Sequence, residues 1–266
     1  MTRFLGLQTG GEIPEPWAAE IAARGWGRVR VEGTDYAAVM AQCQRHELWP
    51  LWILDRGEHL TCPSGIDVEI GNECNDGCAR GPGQAPWPKL APIDYAAWVM
   101  EAWPTLLAKG CTVYCGAANN TSVPGLAWTK DVLSRLPYHP QLRVSFHRYP
   151  GGNQRPDVPQ TGHQSIAAED AAILDCVKGR RWAITEAGLV DATYRSWAFD
   201  KYFGKRRTQL AVDGHRWQAA RFQRLGAECY VVYQVNDGVG AGLLNQYGIH
   251  RVDGTWKATA ALPSLL

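Results

Sequence analysis

The sequence predicts an α/β protein built as a single (β/α)8 TIM barrel with a shortened third βα unit. Three observations support this fold class: eight β-rich runs alternate with helical segments, the 266 residues suit one such barrel, and no linker or composition shift divides the chain. With 45% hydrophobic residues, the chain also has enough apolar material for a large core. We therefore expect residues 1–266 to form one domain.

Eight short runs rich in apolar and β-branched residues are the predicted strands. They are Arg3–Leu7, Arg28–Glu32, Trp49–Leu54, Asp67–Gly71, Cys111–Gly116, Leu142–His147, Trp182–Glu186 and Cys229–Gln234. Only residues 55–66 separate the third run from the fourth, and this stretch includes the turn-forming sequence Cys62-Pro63-Ser64-Gly65. A full helix does not fit there, so the third helix should be very short or absent.

Helical periodicity fills the other gaps between strands. The predicted helices are Glu15–Arg24, Asp35–His46, Ile93–Lys109, Leu126–Leu136, Ile166–Val177, Thr208–Leu225 and a last one at Trp256–Leu262. Asp35 and Asp94 are acids of the kind that begin helices. A doubly wound open sheet is the competing architecture. It usually carries a glycine-rich phosphate-binding turn after its first strand, and residues 8–11 do not form that motif.

Composition and charge argue against several classes of protein. The formal net charge is +1 and only 20% of the residues are charged, which disfavours disorder and a broad nucleic-acid-binding face. No apolar run reaches the roughly 18–20 residues of a membrane span. Residues 1–9 lack the apolar stretch of a secretory signal peptide. We expect no nucleic-acid, membrane or obligate protein partner, and a cytoplasmic location or release by a route not visible in the sequence.

The eight cysteines are predicted to be mostly buried thiols, because a chain of this size does not need disulfides for its stability. Those inside apolar segments are Cys43, Cys111, Cys115, Cys176 and Cys229. His59, Cys62, Cys74 and Cys78 have the residue types of a zinc site. The predicted fourth strand separates Cys62 from Cys74, however, so we expect no metal there. A local Cys74–Cys78 pair stays open.

Chemistry in such a barrel belongs at the carboxyl ends of the strands. The predicted fourth strand runs into Asn72 and Glu73, and the seventh ends in Glu186. Two carboxylates that face each other suit glycoside cleavage, because one protonates the leaving oxygen while the other attacks the anomeric carbon or activates water. Other candidate side chains at strand ends are Arg30, Trp52, His147, Tyr149 and Tyr233.

The segments Glu69–Glu73 and Ile184–Glu186 resemble clan A retaining glycoside hydrolases, in particular the cellulase-like family 5 and the xylosidase-like family 39. The resemblance implies that Glu73 is the acid/base and Glu186 the nucleophile. It also implies that Asn72 contacts the 2-hydroxyl group of the sugar.

Three further segments extend the resemblance along most of the chain. His147-Arg148-Tyr149 is similar to the sixth-strand His-x-Tyr of the clan, whose tyrosine bonds to the nucleophile. Arg30 matches an arginine often found near that carboxylate on the second strand. Residues 247–257 look like the closing segment that follows the eighth strand in the clan.

Two residues depart from the pattern of the clan. Tyr233 and the following Gln234 stand where many members carry a tryptophan as a sugar platform, and Cys74 replaces the proline that often follows the Asn-Glu pair. These departures bear on the sugar rather than on the catalytic pair. We expect Tyr233 and Trp52 to contact sugar, with core packing as the alternative for Trp52. A basic cluster at residues 201–207 is a solvated surface or a contact for an acidic glycan.

The sequence therefore predicts a retaining glycoside hydrolase that cleaves β-linked oligo- or polysaccharide by double displacement and needs no cofactor. Two alternatives stay open. One is a carbohydrate-binding barrel without turnover, and the other is a metal-dependent barrel enzyme acting on sugars with Glu73, His147 and Glu186 as ligands.

Overall fold

The computed structural model describes residues 4–9, 15–33, 35–78, 85–118, 120–149, 157–189, 207–233 and 258–265. Within these ranges, eight parallel strands pair in chain order and close into one barrel. The strands are β1 Leu5–Gln8, β2 Arg28–Glu32, β3 Trp49–Leu54, β4 Asp67–Ile70, β5 Thr112–Ala118, β6 Leu142–Arg148, β7 Trp182–Ala187 and β8 Tyr230–Val232. The predicted fold class is confirmed. Of the predicted strand residues, Arg3 and Gln234 lie outside the described ranges.

The helices lie between successive strands. They are α1 Glu15–Ala23, α2 Tyr36–Arg45, α3 Pro92–Ala108, α4 Val123–Ser134, α5 Ile166–Val177 and α6 Arg207–Arg224. Between β3 and β4 the chain forms only a short 3-10 helix, Glu58–Leu60, so the shortened third unit is also confirmed. The predicted last helix is instead a 3-10 helix, Ala258–Leu265, which packs against α6; residues 256 and 257 are outside the described part.

Side-chain caps define several helix starts. Asp35 caps α2 by accepting a hydrogen bond from the Ala38 backbone N–H at 3.3 Å, as its position in the sequence suggested. Ser122 caps α4 in the same way through the Gly125 N–H at 3.2 Å. Helix α4 begins at Val123, three residues before the predicted start, because a serine cap followed by a proline in the first turn favours initiation there.

The barrel interior is apolar only in part. A small cluster of side chains fills its middle: Leu51, Tyr114, Ala183, Cys229 and Val231. Strands β2 and β4 add two buried ion pairs, Arg28–Asp67 at 2.5 Å and Arg30–Glu69 at 2.6 Å. Alternate residues of a strand point to the same side, so the second pair lies one step closer to the carboxyl ends than the first. We call these two pairs the interior ion-pair ladder.

All eight cysteines are free thiols, including Cys74 and Cys78. Cys62 precedes β4 and Cys74 follows it, so the two lie at opposite ends of the barrel, as the sequence predicted. At the amino-terminal end, the Cys111 sulfur lies 3.5 Å from the Pro63 backbone oxygen. Within the described ranges, no helix is long and apolar enough to cross a membrane.

Candidate active site

The carboxyl ends of β4, β6 and β7 bring Glu73, His147 and Glu186 together. One carboxylate oxygen from each glutamate and one ring nitrogen of His147 all lie within 4.8 Å of one another. Glu186 is buried and Glu73 is half-buried. The two glutamates singled out from the sequence therefore face each other at the mouth of the barrel.

The backbone after β4 is bent to present Glu73. Gly71 has a φ of 68°, and a Cβ at this position would lie only 2.6 Å from the Cys74 sulfur, so glycine is required. Glu73 itself has a φ of 49°, a left-handed conformation that costs about 1–2 kcal/mol for a residue with a side chain. The backbone N–H groups of Asp76 and Gly77 donate to the Glu73 carbonyl at 3.0 and 2.8 Å and hold this turn.

An irregularity in β7 turns two successive residues toward the interior. The pairing register of β7 shifts against both β6 and β8 near its carboxyl end. Thr185 donates to Glu69 Oε1 at 2.5 Å, and the next residue, Glu186, accepts from Arg30. Successive residues of a regular strand point to opposite faces, so the shift lets both side chains enter the barrel.

Glu186 is held by a cation and a hydroxyl group. Arg30 Nη1 donates to Glu186 Oε2 at 2.5 Å, and the Tyr149 hydroxyl donates to Oε1. Burial and the charge of Glu186 raise the pKa of Tyr149 well above its ordinary value, so the phenol remains a neutral donor. These contacts stabilise negative charge on a carboxylate and fix its orientation. The predicted contacts of Arg30 and Tyr149 with Glu186 are present.

The Arg30 guanidinium is fully buried and connects most of the site. Its Nε donates to Glu69 Oε2 at 2.7 Å, Nη1 also donates to Gln8 Oε1 at 2.5 Å, and Nη2 donates to Asn72 Oδ1 at 2.7 Å. Burial opposes the charge of Arg30, but Glu69 and Glu186 outweigh it and raise the pKa above its ordinary value. The guanidinium therefore stays charged, and it binds side chains from three other strands, β1, β4 and β7.

His147 is fully buried, and its two ring nitrogens lie against Glu73 and Arg30. Its Nδ1 lies 2.9 Å from Glu73 Oε1, and its Nε2 lies 3.2 Å from Arg30 Nη2. Burial alone would lower the pKa of His147, but the charge of Glu186 and the hydrogen bond to Glu73 raise it above its ordinary value of 6.5. The sequence predicted a substrate contact. The structure instead places His147 behind Glu73, where it holds the carboxyl group.

The other predicted binding residues divide into two groups. Asn72 and Tyr233 are half-buried at the mouth, and the Tyr233 ring lies 6.0 Å from that of Tyr149. Trp52 is only 1% exposed, and its indole N–H donates to the Gly33 carbonyl at 2.7 Å. Its ring has no open face for a sugar. The sugar contact predicted for Trp52 is therefore wrong, and the packing alternative is correct.

The loop after β6 is anchored from behind the site. Arg148 points away from the mouth, where it pairs with Glu169 of α5 at 3.0 Å and donates to Gln218 of α6 at 3.0 Å. Gln160 donates to the Tyr149 carbonyl at 2.8 Å. This buried network fixes the backbone that carries Tyr149.

Sequence reasoning missed three polar residues of the site. Some of its other predictions concern residues outside the described ranges. Sequence reasoning assigned no role to Gln8, Glu69 or Thr185, although Glu69 interrupts an apolar strand and could have signalled a buried polar contact. The side chains of the basic cluster at 201–207 and the segment 247–257 are outside the described part, as is Gln234.

Comparisons with known proteins identify the same fold. No protein-family model matches the chain, and neither does any curated protein. Among solved structures, Cel5A of Thermotoga maritima in complex with cellobiose has a TM-score of 0.60 at 13% identity, over 100% of this chain and 97% of that chain. A family 17 β-1,3-glucanosyltransferase from Rhizomucor miehei has a TM-score of 0.65 at 12% identity, over 98% and 97%.

An endo-β-1,4-glucanase from Xanthomonas axonopodis pv. citri has a TM-score of 0.62 at 11% identity, over 99% of this chain and 98% of that chain. The structures that match also include a family 10 xylanase and a family 5 xyloglucanase. Likeness at such low identity establishes architecture. The chain folds as the closed eight-stranded barrel that these glycoside hydrolases share.

Proposed function

We propose that this protein is a retaining glycoside hydrolase that cleaves β-linked oligo- or polysaccharide, with Glu186 as nucleophile and Glu73 as acid/base. One observation carries the proposal: carboxylate oxygens of these two residues lie within 4.8 Å of each other. Retaining enzymes hold their carboxyl groups about 5–5.5 Å apart, whereas inverting enzymes need roughly 6.5–9.5 Å to admit a water molecule. The solved structures of similar fold act on or bind β-glucans and xylans, which supports this substrate class.

In the first step, a carboxylate oxygen of Glu186 attacks the anomeric carbon as the bond to the leaving oxygen breaks. Arg30 and Tyr149 each bind one oxygen of this carboxylate, so the nucleophile approaches in a fixed orientation. Glu73 gives its proton to the leaving oxygen. This step produces a glycosyl-enzyme ester on Glu186 and a free leaving group.

In the second step, Glu73 acts as the base. It takes a proton from the water that attacks the anomeric carbon, and Glu186 leaves as a carboxylate. His147 Nδ1 bonds to Glu73 Oε1 at 2.9 Å, so one oxygen is held by the protein while the other remains for proton transfer. Asn72 and Tyr233 line the mouth beside the pair, in keeping with contacts to the sugar ring.

Azide rescue tests the two roles separately. In Glu73→Ala, hydrolysis should fall most for substrates with poor leaving groups, and azide should restore turnover by forming the β-glycosyl azide, because it attacks the glycosyl-enzyme without a base. In Glu186→Ala no glycosyl-enzyme forms. Azide then attacks the substrate directly and should give the α-glycosyl azide.

The control is Glu47→Ala, which removes an exposed glutamate at the amino-terminal end of the barrel and should leave hydrolysis unchanged. Substrates come from a panel of aryl β-glycosides and β-1,3-glucan, β-1,4-glucan, xylan and mannan, with analysis of product length. The same azide anomer from both variants, or the reverse assignment, contradicts the proposed roles.

A metal-dependent barrel enzyme is the second candidate, because Glu73, His147 and Glu186 offer three ligand atoms within 4.8 Å. The Arg30 guanidinium, 2.5 Å from Glu186, opposes a second cation in this space. Metal analysis and the effect of a chelator on hydrolysis separate the metal-dependent enzyme from the retaining glycoside hydrolase.

Binding of a glycan from the panel with no product supports the alternative of a carbohydrate-binding barrel.

A further inference from the structure

The thiol of Cys78 lies directly against Asn72. Cys78 belongs to the loop between β4 and α3, and its sulfur lies 3.2 Å from Asn72 Nδ2 and 3.7 Å from the Asn72 carbonyl oxygen. The side chain is half-buried. Cys78 therefore contacts both the carboxamide and the backbone of Asn72, the residue for which the resemblance to clan A implies a contact with the 2-hydroxyl group of the sugar.

The orientation of the Asn72 carboxamide follows from its other neighbour. Arginine has donors and no acceptor, so the atom 2.7 Å from Arg30 Nη2 must be the amide oxygen. The amide nitrogen is then directed toward the Cys78 sulfur. Arg30 and Cys78 thus hold the two ends of one planar group.

Cys78 remains a neutral thiol in this position. Burial and the charge of Glu73 raise the pKa of Cys78 to about 12, and Glu186 acts in the same direction. The sulfur lone pairs can accept the Asn72 N–H, while the S–H can donate to the Asn72 carbonyl.

The carboxamide nitrogen carries two hydrogens, and one of them is directed to Cys78. Among the residues that the structure describes, the Asn72 side chain forms hydrogen bonds only with Arg30 and Cys78. Because the group is planar, fixing one N–H also fixes the direction of the other. We propose that Cys78 is a positioning residue that orients the second N–H of Asn72 for the 2-hydroxyl group of the sugar. This inference rests on the proposed function of Asn72.

The test compares the aryl β-glycoside that the wild-type protein cleaves fastest with its 2-deoxy counterpart. Cys78→Ala should lower kcat/KM on the parent glycoside by about 5-fold, the effect of one hydrogen bond, and change the 2-deoxy substrate much less. Cys78→Ser keeps an acceptor and should stay within about 2-fold of the wild type. The control Cys43→Ala removes a buried thiol of α2 and should leave both rates unchanged.

A double variant separates positioning from packing. If Cys78 acts through Asn72, the variant Asn72→Ala/Cys78→Ala should be no slower than Asn72→Ala alone. Equal losses on both substrates after Cys78→Ala, or additive losses in the double variant, overturn the proposal.

A structural readout makes the test independent of hydrolysis. If the wild-type protein cleaves nothing in the panel, the proposed function fails, and crystal structures of the wild type and of Cys78→Ala decide the positioning role. A carboxamide that turns in the variant supports it. A carboxamide that keeps its orientation contradicts it.

Discussion

The planar guanidinium of Arg30 matches the four acceptor groups around it. Its three nitrogens reach Gln8, Glu69, Asn72 and Glu186 within 2.7 Å, from three different strands and the loop after β4. A lysine ammonium is a single point charge with no planar fork. Arginine is therefore required at this position for its shape as well as for its charge.

Arg30→Lys should lower turnover by at least about 10-fold, because one ammonium cannot hold Glu186 and Asn72 together, and a hydrogen bond to a charged group contributes about 1.5–3 kcal/mol. Steady-state kinetics on the best panel substrate measure this. Arg45→Lys, on the exposed side of α2, is the matched control and should retain full turnover. An Arg30→Lys protein as active as the control would refute the argument from shape.

Tyr149→Phe should also lower kcat by about 10-fold, because it removes the hydroxyl that donates to Glu186 and leaves the ring in place. The melting temperature and circular dichroism should stay close to those of the wild type. Tyr138→Phe removes an exposed hydroxyl and is the control. An unchanged rate for Tyr149→Phe would exclude this tyrosine from holding the nucleophile.

The raised pKa of His147 has a consequence for stability. A group whose pKa is higher in the folded state stabilises it fully below the unfolded pKa, near 6.5, and loses that contribution as the pH rises through the folded pKa. The charged groups that face His147 are Glu69, Glu73 and Glu186, opposed by Arg30.

The free energy of unfolding of the wild type, relative to that of His147→Asn, should therefore fall between pH 6 and pH 9. Urea unfolding at several pH values measures the difference. A difference that is constant or grows over this interval would contradict the direction of the pKa shift.

At the scale of elements, the strands could be predicted because their signal is local. Each apolar run is short, is bounded by turn residues and becomes a strand whose ends lie within two residues of the predicted ends. The start of α4 was misplaced because the periodic apolar residues begin at Leu126, whereas the cap at Ser122 sets the boundary. The 3-10 helix at 258–265 contains Pro263, which α-helical periodicity cannot register.

Much of the site could be predicted because several of its residues stand at or just after the ends of strands. Glu73, Glu186 and Tyr149 stand at such positions, so alternation along the chain and the order of strands bring them to one mouth. Thr185 could not be predicted, because its inward direction depends on a register shift that forms only when β7 pairs with β6 and β8. Burial of Trp52 likewise depends on packing against Tyr36, 4.8 Å away, from another element.

The Arg148 network also ties elements together. Glu169 accepts from Arg148 at 3.0 Å and also pairs with Arg221 of α6 at 3.4 Å, all three side chains being buried. Glu169→Ala should destabilise the fold by about 3–5 kcal/mol, because two arginines remain buried with less compensation. Urea unfolding measures this. Glu20→Ala on the exposed face of α1 is the control, and similar stabilities of the two variants would contradict the prediction.

At the scale of the whole molecule, the eight cysteines allow a test of the predicted redox state. Thiol titration in denaturant without reductant should find all eight thiols of the chain free. Their positions inside strands and helices already predicted at least five. Three or four disulfides would overturn the redox interpretation.

The two pairs of the interior ion-pair ladder should differ in how well they tolerate substitution. Arg30 of the Arg30–Glu69 pair also binds Glu186, so under the proposed function substitutions at this pair should lower catalysis as well as stability. The Arg28–Asp67 step lies deeper, and buried ion pairs can often be exchanged for apolar pairs at no loss of stability. In relatives selected for heat tolerance, we therefore expect apolar substitutions at Arg28 and Asp67 before any substitution at Arg30 and Glu69.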